Sequence, residues 1–243
     1  MDQTLDTSRP PSARSEPAKT RQPYDDLTLS GRVYRRVLAD ILHGHLQPGR
    51  RLSLLPLAAS YGTSSATLRE ALIRLTSDRL VDRDPQRGFR ITPATHDELL
   101  ELVKAAGWLG EIGLRESMAR GDRLWEERVL STHRALSLSS APSGPQHDKE
   151  LSNWDEHVLA FHEALVSACH SSILVEQCHS LQRRVLRYRN LATSVCAHDP
   201  HERDDLLRIR NATLERNADL AVDLLHSYYR SSAQKVFASG VLS

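Results

Sequence analysis

The stretch LLPLAASYGTSSATLREALIRL, residues 54–75, predicts two short helices joined by a tight turn. In the second helix, apolar residues recur at positions i, i+3, i+4 and i+7, which is the spacing of one buried face. Gly62 can take the left-handed conformation that ends the first helix, and Ser64 can cap the second. The pattern predicts a helix-turn-helix, with an ordinary helical hairpin as the alternative. The predicted buried face comprises Leu68, Ala71, Leu72 and Leu75.

The outward face of the second helix carries candidate base-reading residues. In a helix-turn-helix, the N-terminal end of this helix enters the major groove of DNA. A preceding helix is predicted from about Leu29 to His45, with Arg32 on its basic side. On the second helix, the candidate DNA contacts are Ser64, Ser65, Thr67 and Arg69.

A two-stranded hairpin is predicted directly after the second helix. Leu80 and Val81 favour a strand, residues 84–88 have the composition of a turn, and residues 89–91 alternate again. A short strand over residues 51–53 can pair with this wing. The wing would bring three further candidates to phosphates or the minor groove. They are Arg87, Gly88 and Arg90.

The ordered residues from Ile41 to Ile91 resemble the winged helix-turn-helix of GntR-type bacterial transcription regulators, with the core LREAL beside the wing residues Arg87-Gly88-Phe89. The resemblance implies binding to double-stranded DNA. Leu55 and Ser65 stand where the family has arginines, whereas Arg69 keeps the second arginine of the recognition helix. We therefore expect the docking geometry of the family to be retained and the operator sequence to differ from the common family site.

The 243-residue chain combines a basic segment with a mildly acidic one. Residues 29–92 hold 11 Lys and Arg against 5 Asp and Glu, whereas residues 93–243 hold 17 against 21. A basic module suits nucleic-acid binding. No apolar stretch reaches the length of a membrane span and the N-terminus lacks a signal-peptide core, so a cytoplasmic protein without a membrane partner is expected. The three cysteines lack CxxC spacing and are interpreted as reduced packing residues.

Composition and periodicity divide the chain into four segments. We expect a disordered tail over residues 1–27, a winged helix-turn-helix over 28–92, a linker over 93–96 and an all-helical domain over 97–240. The predicted fold class is mainly α, with three helices and a small β-wing followed by a bundle of six or seven helices. The fragments AFHEAL and NADLAVDLLHSYY resemble the FCD domain of the FadR branch, which implies effector binding and dimerisation.

Many FCD domains hold a divalent metal, so the resemblance allows the ligand positions to be compared. His162 occupies the first histidine position. The other three positions are occupied by Val158, Leu206 and Tyr228. Because a borderline metal needs imidazole or carboxylate ligands, we expect no metal and no required cofactor. A site relocated to His157 or His226 is the alternative.

An arginine-rich run at residues 183–189 supplies further candidate contacts. An inward guanidinium would bind a carboxylate or phosphate, although most of the run is interpreted as a charged surface. Lys104 stands where the resemblance expects an effector-facing arginine. The candidate effector-binding residues are Lys104, His162, Arg184, Arg187 and Tyr228.

Together these features predict a homodimeric transcription regulator. The expected form is a repressor whose affinity for a palindromic operator is changed by a small organic acid, a carboxylate, bound in the helical domain. An acyl thioester or another apolar ligand bound without metal is the alternative effector. An enzyme fused to a DNA-binding module is a second alternative, but the sequence offers it no recognisable nucleophile with its base, phosphate loop or paired carboxylates.

Overall fold

The computed structural model describes residues 28–84, 88–139, 148–193 and 201–242. The predicted disordered tail, Arg87 and Cys196 lie outside the described residues. The elements are α1 (Leu29–Leu42), β1 (Arg51–Leu52), α2 (Leu54–Ser60), α3 (Ser65–Ser77), β2 (Val81–Asp84), β3 (Gly88–Ile91), α4 (His96–Arg120), α5 (Arg123–Leu138), α6 (Asp148–Val166), α7 (Ser172–Thr193), α8 (Glu202–Leu214) and α9 (Ala218–Ala238).

The first three helices form the predicted helix-turn-helix around one apolar core. All four residues of the predicted stripe on α3 are fully buried. Gly62 has a φ of +62° in the turn, and the Ser64 side chain accepts a hydrogen bond from the backbone N–H of Thr67 at 3.1 Å. Helix α1 ends at Leu42 rather than near His45, because His43 caps it and Gly44 turns the chain with a φ of +79°.

The wing is a three-stranded antiparallel sheet in the order β1-β3-β2. Arg51 of β1 lies opposite Arg90 of β3, which confirms the predicted pairing of the short strand with the wing. Phe89 and Ile91 face the core while Arg90 is exposed, so the period of two in the sequence corresponds to the two faces of the strand.

Helices α4 to α9 form a bundle with a second apolar core. Helices α4 and α9 approach closely at Gly107, where a Cβ atom would lie 2.8 Å from Nδ1 of His226. The mainly α fold class is therefore confirmed, with six helices after the wing in the residues described. None of the described helices has the length and apolarity that crossing a membrane requires.

The two units are in direct contact. Helix α1 of the first unit packs against α7 of the second, and residues 92–95 connect β3 to α4 beside the same helix. Since α7 also packs against α4, α6 and α9, it contacts both the DNA-binding unit and the centre of the bundle.

Candidate DNA-binding and effector-binding sites

Helix α3 presents the predicted base-reading residues on its outer face. Ser64 and Arg69 are exposed, and Ser65 and Thr67 are partly exposed. The hydroxyls of Ser64 and Thr67 lie 2.9 Å apart at the start of the helix. Within the residues that the structure describes, Arg69 makes no hydrogen bond or ion pair, so its five donors are available to a base or a phosphate.

The wing adds positive charge beside this helix. Arg51 and Arg90 are exposed and directly opposite each other in the antiparallel ladder. Like charges in this arrangement repel, and a bound phosphate would relieve the repulsion. Gly88 opens β3 with a φ of +82°, which explains the glycine at this turn. Arg32 is exposed on α1.

A buried polar cluster lies at the centre of the bundle. Arg189 of α7 donates a hydrogen bond from Nη1 to Oη of Tyr228 at 2.7 Å and pairs through Nη2 with Glu202. The Tyr228 hydroxyl in turn donates to Oε1 of Glu202 at 2.9 Å. The His162 ring lies 5.2 Å from the Tyr228 ring, measured between centroids. We call these four residues the Arg189 cluster.

Burial sets the protonation states in this cluster. Desolvation, followed by the nearby Arg189 cation, lowers the pKa of His162 to about 3, so the imidazole is neutral at physiological pH. Desolvation raises the pKa of Tyr228 well above its usual value. Although burial acts in the opposite direction, the Glu202 carboxylate raises the pKa of Arg189. Arg189 and Glu202 are thus a charged pair among neutral rings.

A small, mostly apolar pocket adjoins the cluster between α4, α6, α7 and α9. Its lining includes His162, Cys178, Gln182, Leu225 and Tyr229. Two buried nitrogens at this pocket, Nε2 of His162 and Nε2 of Gln182, have no hydrogen-bond partner among the described residues. The other amide atom of Gln182, Oε1, accepts from the Tyr229 hydroxyl at 2.9 Å. Such unpaired buried groups carry a desolvation cost that a polar ligand would relieve.

The residues around His162 do not fit a metal ion of the kind that the resemblance implies. The Tyr228 ring packs against His162, and the nearby positive charge of Arg189, which helps to lower the pKa of His162, would repel a cation. Val158 and Leu206 are fully buried in the apolar core. His226 contacts Glu111 at 3.1 Å, and Nδ1 of His157 lies 2.6 Å from the carbonyl of Asn153. The described residues contain no group of three or more His, Cys, Asp or Glu arranged to hold a metal.

The arginine-rich run on α7 is not the charged surface that the sequence predicted. Arg187 and Tyr188 are buried, and Arg184 and Arg189 are largely buried. Arg184 pairs with Glu98 at 2.5 Å, and Arg187 donates to the backbone carbonyl of Thr92. These two candidates therefore lie at the junction between the units and outside the Arg189 cluster, because their acceptors come from the linker and the start of α4.

Lys104 lies on the exposed face of α4, and its Nζ is 4.8 Å from the centre of the Trp108 ring. The structure therefore brings together His162 and Tyr228 of the effector candidates and separates Lys104, Arg184 and Arg187 from them. Trp125 and Trp154 are buried core residues, whereas Trp108 is 57% exposed.

Two polar residues of the effector site were not singled out from the sequence. Glu202 and Gln182 look like ordinary surface residues in their helices. The sequence feature that could have identified them is their position on the buried side of the helix. Because these helices also carry many exposed charges, periodicity alone does not distinguish a buried acid from a solvated one.

The fold and sites define a class of DNA-binding protein in which a winged helix is joined to a helical domain. The model of "Bacterial regulatory proteins, gntR family" matches residues 29–91, and that of the FCD domain matches residues 101–231. The chain belongs to the GntR family of bacterial transcription regulators and carries an FCD domain.

Two relatives agree with this membership, and a solved structure shares the fold. The HTH-type transcriptional regulator BphR of Paraburkholderia xenovorans (strain LB400) is 33% identical over 210 residues, 86% of each chain. The HTH-type transcriptional repressor GlaR of Escherichia coli (strain K12) is 30% identical over 201 residues, 80% of this chain and 90% of GlaR. E. coli McbR/YncC has a similar fold, with a TM-score of 0.70 and 18% identity over 87% of this chain and 98% of its own.

The family and these relatives are transcription regulators and not enzymes. The protein is accordingly a DNA-binding transcription regulator, as the sequence predicted. The enzyme alternative is wrong.

Proposed function

We propose that the protein is a homodimeric cytoplasmic repressor that binds a palindromic operator and responds to a small organic acid in its helical domain, without a metal. The observation that carries the effector part is the pair of unpartnered nitrogens on His162 and Gln182 at a pocket beside the buried Arg189. The repressor assignment is supported by the name of the relative GlaR, a transcriptional repressor.

The chemistry of the pocket favours a carboxylate attached to an apolar body. Gln182 offers N–H donors, and the neutral His162 can donate from Nε2 in one tautomer. A carboxylate oxygen accepts both bonds and attracts the Arg189 guanidinium, for which it competes with Glu202. The apolar lining would take the rest of the ligand. The thioester group of the alternative ligand is uncharged, so its acyl chain would depend on the apolar lining.

Thermal unfolding of the purified protein with a panel of small carboxylates and acyl thioesters tests this assignment. A ligand at 100 times its Kd should add about 2.7 kcal/mol to the free energy of unfolding if it binds only the folded chain. We expect stabilisation by a carboxylate in the presence of a chelator, and its loss in Gln182→Leu. Stabilisation that requires zinc, nickel or manganese would contradict the metal-free site, and stabilisation by thioesters alone would contradict the carboxylate.

The proposed contacts with DNA predict a specificity change in Arg69→Ala. If Arg69 reads a base, the variant should lose about 1–3 kcal/mol of binding free energy on the preferred operator and little on a duplex changed at that base. The operator is first obtained by selection from random duplexes, and affinity is measured by fluorescence anisotropy. Arg134→Ala, an exposed arginine of α5, is the matched control. Equal binding of the unmodified protein to selected and scrambled duplexes would contradict sequence-specific recognition.

Variants of the wing should affect DNA binding differently from Arg69→Ala. Arg90→Ala should weaken binding to all duplexes alike and lower the slope of log K against log salt by about 1, because a phosphate contact releases counterions and reads no base. The same expectation holds for Arg87. An unchanged salt slope in both variants would exclude phosphate contacts by Arg87 and Arg90.

The homodimer is argued from an apolar stripe along α4. Leu100, Trp108 and Ile112 are each more than half exposed and recur at multiples of four residues, with Lys104 between the first two. About a two-fold axis at Trp108, an antiparallel copy of α4 would bring Glu101 opposite the partner's Arg115. Such a contact is isologous, as a two-fold interface requires, with the two Trp108 side chains at its centre.

Trp108→Glu should shift the protein from a dimer towards the 27.3 kDa monomer. The reason is that an isologous contact places two new carboxylates next to each other. Sedimentation velocity at micromolar concentration measures the change. The control is Leu124→Glu, which replaces an apolar side chain that is 72% exposed on α5. A dimer that persists in Trp108→Glu would place the interface elsewhere.

A further inference from the structure

Helix α7 is bonded to the DNA-binding unit near the recognition helix. Nη1 of Arg183 donates to the Tyr34 hydroxyl at 3.1 Å, and this hydroxyl donates to Oδ2 of Asp78 at 2.6 Å. Asp78 is the C-cap residue of α3. One tyrosine of α1 thus joins α7 to the end of the helix that carries Arg69.

The same helix is bonded to the linker. The Tyr188 hydroxyl accepts a hydrogen bond from the backbone N–H of Thr95 at 3.0 Å and donates to Glu98 at 2.6 Å. Together with the bonds from Arg184 and Arg187, these contacts fix the first turn of α4 against α7. A displacement of α7 would therefore also move the linker.

A second connection passes through a buried carboxylate. Asp155 of α6 accepts a hydrogen bond from Nδ2 of Asn190 at 2.6 Å, and its Oδ2 lies 3.4 Å from Nε2 of His43. The side chains of Asp155 and His43 are 6% and 7% exposed. Burial raises the pKa of Asp155, while the bonds from His43 and Asn190 act in the opposite direction. An acid inside the bundle thus contacts the residue that caps α1.

This carboxylate adjoins the Arg189 cluster. Asn190, which binds Asp155, follows Arg189 directly in α7, and the positive charge of Arg189 also acts on Asp155. A path therefore runs from Tyr228 to Arg189 by a hydrogen bond, along the α7 backbone to Asn190, and by side-chain contacts through Asp155 to His43 in the DNA-binding unit.

We propose that His43 and Asp155 are positioning residues that couple the Arg189 cluster to the affinity for DNA. The proposal rests on the proposed function, since it concerns how ligand binding in the helical domain alters the affinity for DNA. An anion that engages Arg189 competes with Glu202 and Tyr228, and the resulting shift of α7 changes the contact between Asp155 and His43. The coupling exists only to the extent that the two arrangements differ in affinity for the ligand and for DNA.

A double-mutant cycle tests the coupling without knowledge of the ligand. Tyr228→Phe perturbs the cluster by removing one hydroxyl, and His43→Leu removes the contact with Asp155, because leucine has no hydrogen-bond donor. Operator Kd is measured for the unmodified chain, both single variants and the double variant. We expect Tyr228→Phe to change the Kd about fivefold or more when His43 is present and less than about twofold when it is absent.

Additive effects in the cycle would overturn the coupling role, because residues that act separately do not alter each other's effect on Kd. Tyr229→Phe is the matched control: its hydroxyl bonds Gln182, and its effect should be independent of His43. Circular dichroism and melting confirm folding, and Glu202→Gln replaces Tyr228→Phe if the latter does not fold. If the unmodified protein prefers no duplex, the proposed function fails; if it has an operator and the cycle is additive, the coupling alone fails.

Discussion

Arg189→Met is expected to lower the free energy of unfolding by about 3–5 kcal/mol, because it leaves the Glu202 carboxylate buried without its cation. The side chains of Arg189 and Glu202 are only 13% and 5% exposed, so water cannot replace the lost partner. Urea unfolding followed by circular dichroism measures the loss. The double variant Arg189→Met/Glu202→Gln should recover a large part of it, since the amide removes the uncompensated charge.

The chain offers a matched control for this prediction. Arg128 pairs with Glu163 at 2.9 Å, but its side chain is 53% exposed. Arg128→Met should therefore cost less than about 1 kcal/mol, as solvent screens an exposed pair. Equal losses in Arg189→Met and Arg128→Met would contradict a buried charge pair. Arg189→Lys keeps the charge and should lose less than Arg189→Met.

The second large effect is expected on acidification. The pKa of His162 is lowered to about 3 in the folded chain, whereas an unfolded histidine titrates near 6.5. Between these values the unfolded chain binds the additional proton, so the free energy of unfolding falls as pH falls through this window. From pH 7 to pH 4.5, His162 alone should account for a loss of about 2–3 kcal/mol.

His133 contributes in the same direction. Burial, with the nearby Arg210 cation, lowers its pKa to about 4. Urea unfolding at several pH values should therefore show a slope of nearly two protons around pH 5 from these two residues. His162→Gln should remove about one proton from that slope, and His162→Gln/His133→Gln about two. A slope that is unchanged in His162→Gln would show that this imidazole is protonated in the folded chain.

The winged helix could be predicted from sequence because its determinants are local. The apolar spacing on α3, the cap at Ser64 and the glycine at residue 62 each specify a neighbouring piece of backbone, and all three agree. The bundle was predictable as a set of helices for the same reason. The end of α1 was less certain, since it depends on how His43 and Gly44 meet α6 and α7.

The polar interior of the bundle depends on residues that are distant in sequence. Arg189 can be buried because it pairs with Glu202 of α8 and donates a hydrogen bond to Tyr228 of α9. Arg187 can be buried because it donates a hydrogen bond to the linker carbonyl of Thr92. These partners are remote from α7 in the sequence. The run of arginines, taken alone, therefore resembles an exposed charged face. The resemblance to FCD domains located His162 and Tyr228, and it gave no indication of Asp155 or Gln182.

The bonds between α7 and the DNA-binding unit also bear on how such regulators can be recombined. A chimera that joins a foreign winged helix to this bundle at residue 93 would lose Tyr34 and His43 together, and with them the partners of Arg183 and Asp155. Arg183 would lose its acceptor on Tyr34, and the buried Asp155 would keep its bond to Asn190 but lose the contact with His43. The unit of exchange is therefore the winged helix together with the facing surface of α7, and a cut placed between the winged helix and the bundle would divide it.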